Sequence, residues 1–316
     1  MLKKFVSLFL ILCLMLPLFA HGEQAAPNPI YPLSKDEIEE TPEGMYHYLL
    51  LCSDSWEGAS QNAPRNTDGI MLVTVDTIAH RVMLTSFIRD MLVVRPDGAF
   101  GRLNGIAKRF SLEEMMGTLN SHFGLDIQKY ILVDWSNVAN IIDALGGVDI
   151  TVTNGEAIRL RDKYAYMNDW TEPVLKGAGT YHFRGYAAVI YMRIRSDRVV
   201  DGEKYDYRRT TRARNVVSSL ADSLREVDYA QALTIATTVF NNITATNMTL
   251  KDFMDAAGYA FDLRDAEIEQ MRIPIDGTGE EFYYLEMATQ QIDVPVNREA
   301  LHEFLYESFV VRETVE

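Results

Sequence analysis

Only two cysteines occur in 316 residues, and Cys13 sits inside an apolar leader, so the folded part carries the single thiol of Cys52 and no internal disulfide. A lone cysteine ending the run Leu49-Leu-Leu-Cys52 reads as a small buried hydrophobe. The six histidines are scattered, and neither Cys-x-x-Cys nor His-Glu-x-x-His occurs, which leaves zinc without support. Positive charge is scarce: 30 Lys and Arg against 45 Asp and Glu give a formal net charge of −15, which argues against nucleic acid as a partner. There is no Gly-x-x-x-x-Gly-Lys phosphate loop, no Gly-x-Ser-x-Gly elbow, no dinucleotide fingerprint, no internal repeat and no low-complexity tract. The apolar run from Phe5 to Ala20 falls short of the about 20 residues a spanning helix needs.

That run has the form of an export signal. Lys3 and Lys4 precede it, Pro17 lies near its end, and Ala20 and Gly22 offer a cleavage point. Residues 1–22 are therefore expected to be a signal peptide or membrane anchor, placing the rest outside the cytoplasmic membrane. Residues 23–43 are polar and proline-containing and read as a linker. Residues 44–310 have the length and composition (47% hydrophobic and 24% charged over the chain) of one globular domain with a substantial core.

Strand-like runs are Tyr46 to Cys52, a hairpin of Gly69 to Val75 with Arg81 to Ile88, then Tyr130 to Val133 and Val148 to Val152. Ser111 and Glu114 form a capping box for a helix ending before Gly124, and Ser136 to Leu145 is a helix closed by Gly146-Gly147. Residues 154–184 read as irregular. A short helix from Arg184 to Tyr191 leads into an arginine-bearing strand, and a long helix runs from Asp206 to about Val227. Further helices are expected at Ala230 to Phe240, after Thr249 and near Arg298 to Tyr306, with strands at Glu267 to Pro274 and Phe282 to Met287. Alternation of this kind predicts an α/β fold: a single layered α-β-α domain with a central mixed sheet flanked by helices.

Against the acidic background, seven arginines crowd into Arg193 to Arg214. Guanidinium groups are permanent, forked cations that match phosphate oxygens in pairs, so the cluster points to a small anionic ligand. Arg193 and Arg195 share a face if the segment is a strand. Arg209 and Arg212 share a side of the long helix near its amino terminus, where Asp206 can serve as N-cap. A solvated helix face with salt bridges is the competing reading, and it suits Arg198, Arg208 and Arg214 best. Asp54 follows the first strand, Asp68 opens the second, and Arg89-Asp90 ends the third, so these charges converge on one sheet edge. Carboxylates so placed can hold Mg²⁺ shared with substrate phosphates, although aspartate is also a common turn former. Tyr181, Phe183, Tyr186 and Tyr191 are assigned to the core rather than to a sugar platform.

The two constellations together resemble one family. Asn66-Thr-Asp68-Gly-Ile-Met-Leu-Val-Thr-Val, Met83-Leu-Thr-Ser-Phe-Ile-Arg89-Asp90, Leu103-Asn104, Asn140-Ile-Ile-Asp-Ala-Leu-Gly-Gly-Val-Asp-Ile, Tyr191-Met-Arg-Ile-Arg and Asp206-Tyr-Arg-Arg-Thr-Thr-Arg are similar, in order and spacing, to motifs of the LytR–CpsA–Psr family. The resemblance covers roughly residues 45–310. It implies an extracytoplasmic phosphotransferase that moves a glycopolymer from a polyprenyl-pyrophosphate carrier to a peptidoglycan hydroxyl at the membrane surface, with Mg²⁺ as cofactor. It also implies metal-binding and catalytic roles for Asp54 and Asp68, a catalytic role for Arg89, and pyrophosphate binding by Arg89, Arg193, Arg195 and Arg209 with Asp206 as their acidic companion. Arg65 and Arg212 are further contributors on the same pattern. Hydrolysis of the same lipid-linked glycan, or a non-catalytic wall-associated regulator, are the alternatives. The sequence departs from the family pattern where Cys52-Ser53 replaces Gly-Thr, Gly69 replaces the Thr after Asp68, Arg208 replaces Gly and Ala213 replaces Gln.

Overall fold

A computed structural model describes residues 26–167, 174–194 and 205–313, with side chains given for all of these except 163–167, 205–206 and 307–313. The expected leader lies outside the described residues. Among those described, no helix is long and apolar enough to cross a membrane.

β1 (Met45–Ser53), β2 (Thr67–Asp76) and β3 (Arg81–Phe87) form an antiparallel meander. The ribbon β4 (Leu92–Val94) and β5 (Phe100–Arg102) precedes α1 (Ile106–Arg109) and α2 (Leu112–Phe123). β6 (Lys129–Val133) leads to α3 (Trp135–Ala144), β7 (Val148–Val152) and α4 (Asn154–Met167). β8 (Gly179–Phe183) pairs back on β7 and runs into α5 (Gly185–Met192). Next come α6 (Tyr205–Ser223), α7 (Tyr229–Asn241), β9 (Ala245–Thr246) and α8 (Leu250–Asp262). β10 (Ile268–Ile273), the hairpin β11 (Gly279–Tyr284) with β12 (Met287–Ile292), and α9 (Val294–Glu313) complete the described chain.

Six strands make the central sheet in the order β10-β3-β2-β1-β6-β9. It is mixed, because β1 lies parallel to β6 and β3 parallel to β10 while the other pairs are antiparallel. These directions bring the carboxyl ends of β1, β3, β6 and β10 and the amino end of β2 to a single edge. Side chains alternate across the sheet. Odd residues of β1, such as Leu49 and Leu51, are fully buried in a core shared with Leu119 of α2 and Leu301 and Leu305 of α9. Even residues, Tyr46 to Cys52, are only half-buried. Cys52 packs against a second layer whose core comprises Trp135, Ile142, Phe183, Val189 and Val216 from α3, β8, α5 and α6, while Tyr46 stacks on Tyr259 of α8. The layered α-β-α domain expected from the sequence is therefore present.

Some local expectations fail. Residues 154–184, read as irregular, hold α4 and β8. The strand read at Phe282 to Met287 is a hairpin whose turn, Leu285-Glu286, has left-handed φ of 45° and 64° without the glycine that normally marks such a turn. The segment read as a linker is in part packed: Ile30 is buried and bridged to Val93, and Tyr31 O accepts from Arg298 Nη2 at 2.6 Å. At Ser111 the hydroxyl accepts from Glu114 N at 3.1 Å, and Gly124 closes α2 in the left-handed conformation.

Candidate active site

The β1–β2 register holds to Cys52 opposite Gly69 and then slips, so that Ser53 pairs with Thr67 and Asp68 becomes the extra residue of a bulge. Bulges re-aim side chains, and this one places the Asp68 carboxylate between two guanidinium groups. Its Oδ2 accepts from Arg89 Nη1, just past β3, and from Arg209 Nη2 at 3.1 Å, in the second turn of α6. Asp68 is 10% exposed and Arg209 11%, so the contact is largely sheltered from water. Asn104 ties the arrangement together. Its backbone N–H donates to Arg89 O at 3.0 Å, and its Nδ2 approaches Asp68 Oδ1 at 3.5 Å. Sequence reasoning placed Asn104 in a motif but gave it no role, because the contact spans three separate segments.

Behind this polar cluster lies a cavity of about 170 Å³ between the sheet and the second layer. Its floor is the even face of the sheet: Leu50, Cys52, Gly69, Met71 and Val133. One wall is a stripe of α6, in which Arg209, Ala213, Val216, Val217 and Leu220 recur at helical spacing. Eleven residues separate Arg209 from Leu220, or about 16 Å along a helix, so the wall runs from a cation to purely aliphatic carbon. Ser86 also lines the cavity, with its buried Oγ lacking any hydrogen-bond partner among the described residues. An orphaned hydroxyl of this kind is satisfied when a ligand oxygen arrives. Burial pushes the Cys52 thiol well above the ordinary range, with Asp68 and Asp134 adding repulsion, so Cys52 is lining and not a nucleophile.

Arg193 is in the turn after α5, not on a strand, and its guanidinium is exposed beside the rings of Trp56 at 5.5 Å and Trp135 at 5.3 Å. Asp54, one residue beyond β1, is exposed, and no hydrogen bond or ion pair engages its carboxylate among the described residues. Arg212 points elsewhere than Arg209: it is 3% exposed, donates Nε to Glu156 at 2.7 Å and Nη1 to Ile194 O at 2.9 Å. It thus braces the turn that carries Arg193 rather than lining the cavity. Arg214, expected at the surface, is buried and donates to Gln270 Oε1 at 3.1 Å. Arg195 lies outside the described residues, as does Arg198. Asp206 belongs to the first turn of α6, but its side chain is not among those described. Arg65 is exposed at φ 59° in the loop after β1, and Arg208 is half-buried.

For a metal, the donors available are Asp54 and Asp68. No group of three or more His, Cys, Asp or Glu residues converges to hold an ion among the described residues, so a closed protein cage is absent there. Asp54 and Asp68 are hard oxygen donors of the kind that Mg²⁺ takes in its open mode, in which it keeps waters and shares substrate phosphates.

The sequence pattern of the LytR_cpsA_psr family matches residues 19–300. Biofilm regulatory protein A of Streptococcus mutans is 24% identical over 237 residues, covering 71% of this chain and 54% of that protein. The polyisoprenyl-teichoic acid–peptidoglycan teichoic acid transferase TagV of Bacillus subtilis is 21% identical over 193 residues, covering 60% of this chain and 46% of TagV. The chain thus matches about half the length of these two relatives. A solved structure of TagT bound to LI-WTA superposes with a TM-score of 0.66 at 17% identity, covering 87% of this chain and 96% of that one. At that identity the likeness is one of fold.

Proposed function

The chain belongs to the LytR–CpsA–Psr family, and from that premise we propose that it is an extracytoplasmic phosphotransferase moving a glycopolymer from a polyprenyl-pyrophosphate carrier to peptidoglycan. One observation carries the reading. The bulged Asp68, bracketed by Arg89 and Arg209, stands at the polar end of an apolar cavity walled by Ala213, Val216, Val217 and Leu220. A ligand that suits both ends has a diphosphate head and a hydrocarbon tail.

In the reaction, an acceptor sugar hydroxyl attacks the phosphorus joined to the glycan. A new P–O bond forms, the bond to the bridging oxygen breaks, polyprenyl phosphate leaves, and the hydroxyl proton passes to a carboxylate. Arg89, Arg193 and Arg209 hold the diphosphate and offset the charge that develops on the leaving phosphate. Asp68, bonded to two guanidinium groups, sets the arginines in place. Asp54, unengaged and exposed at the same sheet edge, is the better-placed base. Mg²⁺, held by Asp54 and Asp68 when bound, would supply further neutralisation of the phosphate oxygens. The cavity keeps the tail out of water, which fits a carrier drawn from the adjoining membrane surface.

The test combines the soluble domain with a polyprenyl-pyrophosphate glycan, peptidoglycan and Mg²⁺. Polyprenyl phosphate and wall-linked glycan are expected as joint products, with Asp68→Ala reducing transfer at least about hundredfold while still binding the lipid diphosphate. Released glycan phosphate and polyprenyl phosphate without a wall product would identify a hydrolase. Tight binding with no product would favour a regulator, a role that the name of the Streptococcus mutans relative carries.

A further inference from the structure

Arg193 is held differently from the other two guanidinium groups. Arg89 and Arg209 are set by a carboxylate, Asp68, which orients them and cancels part of their charge. No carboxylate pairs with Arg193 among the described residues. Instead its guanidinium lies 5.5 Å from the ring centroid of Trp56 and 5.3 Å from that of Trp135. Trp56 in turn stacks on Tyr186, with centroids 5.0 Å apart and planes at 17°. Tyr186 and Arg193 are seven residues apart, two turns along one face of α5 and its end, so one indole fits against both. The loop bearing Trp56 is pinned from the other side, because Ser55 O accepts from Trp135 N at 3.0 Å.

Aromatic faces attract a cation through the ring quadrupole, and they carry no net charge. A carboxylate would orient Arg193 equally well but would compete with an incoming phosphate. Resting on the reading of the cavity mouth as a lipid-diphosphate site, we infer that Trp56 is a positioning residue, holding Arg193 toward the diphosphate at its full charge. Trp135, buried at the start of α3, backs the same guanidinium from a fixed element. Trp56 is also two residues from Asp54, so the same stack steadies the loop that presents that carboxylate.

Geranylgeranyl diphosphate is a suitable probe, titrated by calorimetry at fixed ionic strength into wild type, Trp56→Phe, Trp56→Leu, Arg193→Ala, Arg209→Ala and the double variant Trp56→Leu/Arg193→Ala. Trp56→Leu keeps an apolar contact and removes the π-face, and it is expected to weaken binding about fivefold to tenfold. Trp56→Phe should restore affinity to within about twofold of wild type. The double variant should bind no more weakly than Arg193→Ala alone, since Trp56 acts through that residue. Equal affinity of the Phe, Leu and wild-type forms, or losses in the double variant that simply multiply, would overturn the inference. Arg209→Ala separates the two levels. If it too binds like wild type, the diphosphate site itself is misplaced; if it binds weakly while Trp56→Leu does not, only the role of Trp56 fails. A further measurement needs no change at Trp56: indole emission should shift when the probe is added to wild type and stay constant in Arg193→Ala. An unchanged wild-type emission would count against the contact.

Discussion

Cys52 and Gly69 face each other across β1 and β2 beside Asp68. They are complementary. A Cβ on Gly69 would lie 2.9 Å from Cys52 Cβ, yet 3.7 and 3.8 Å from Cys52 N and Cα, so the cysteine side chain alone fills the space. Gly69→Thr is therefore expected to cost about 1–3 kcal/mol through overpacking on the cavity floor. Adding Cys52→Gly should recover most of that loss, as a thermal melt of the three forms would register; a double variant as unstable as Gly69→Thr would refute the pairing. At this scale the sequence was legible where charge was informative. Asp68, Arg89 and Arg209, which the fold brings together, follow from strand ends and a helix start. Arg212 misled because three residues of spacing put it beside Arg209 on paper, whereas its deeper position on α6 finds Glu156. Trp56 and Trp135 left no trace as site residues, since nothing in a linear pattern says that two distant indoles flank one arginine.

Elements with local punctuation were read correctly. Ser111 and Gly124 bound α2, Gly146-Gly147 closes α3, and Thr249 caps α8 through Asp252 N at 3.2 Å. Those held by tertiary contacts were not. α4 is polar and, among its described side chains, only Ala157 and Leu160 enter the core, while β8 finds β7 across the whole of α4, so no hairpin signal exists. α5 is buried on every side from Gly185 to Met192, apart from Tyr186, and shows no amphipathic period to mark its end; this is why Arg193 read as strand. That burial has a cost in tolerance. A Cβ on Gly185 would stand 1.9 Å from Ala139 O, a backbone atom of α3 that cannot yield locally. Gly185→Ala should lower stability by about 3 kcal/mol or more by forcing α5 off α3. Because α5 carries Tyr186 and delivers Arg193, diphosphate affinity should fall with it. A variant that melts like wild type would contradict the close packing.

Over the whole molecule, the two faces of the sheet serve different ends, and the cavity was invisible in sequence because the sheet, α3 and α6 each supply a part. The opposite face packs against α2 and α9, and two histidines are buried there. His47 contacts Thr74 Oγ1 at 2.8 Å and Tyr306 OH at 3.2 Å, joining β1, β2 and α9. His122 donates Nε2 to Val94 O at 2.9 Å, and its Nδ1 lies 3.0 Å from the Ser121 hydroxyl. Burial disfavours the imidazolium in both and lowers each from 6.5 to about 4; nearby Asp126 opposes the effect at His47, and Val94 O at His122. The unfolded chain therefore binds these two protons first as pH falls. The stability they leave intact above pH 6.5 is withdrawn progressively down to about pH 4, by at most about 3 kcal/mol for each histidine. Thermal midpoints taken from pH 7.5 to 4 should fall along this window in the wild type. His47→Gln and His122→Gln should each flatten the slope, whatever they do to the midpoint at neutral pH. A wild-type profile level from pH 6.5 to 4, or variants with an unchanged slope, would show that this face does not titrate as its burial requires.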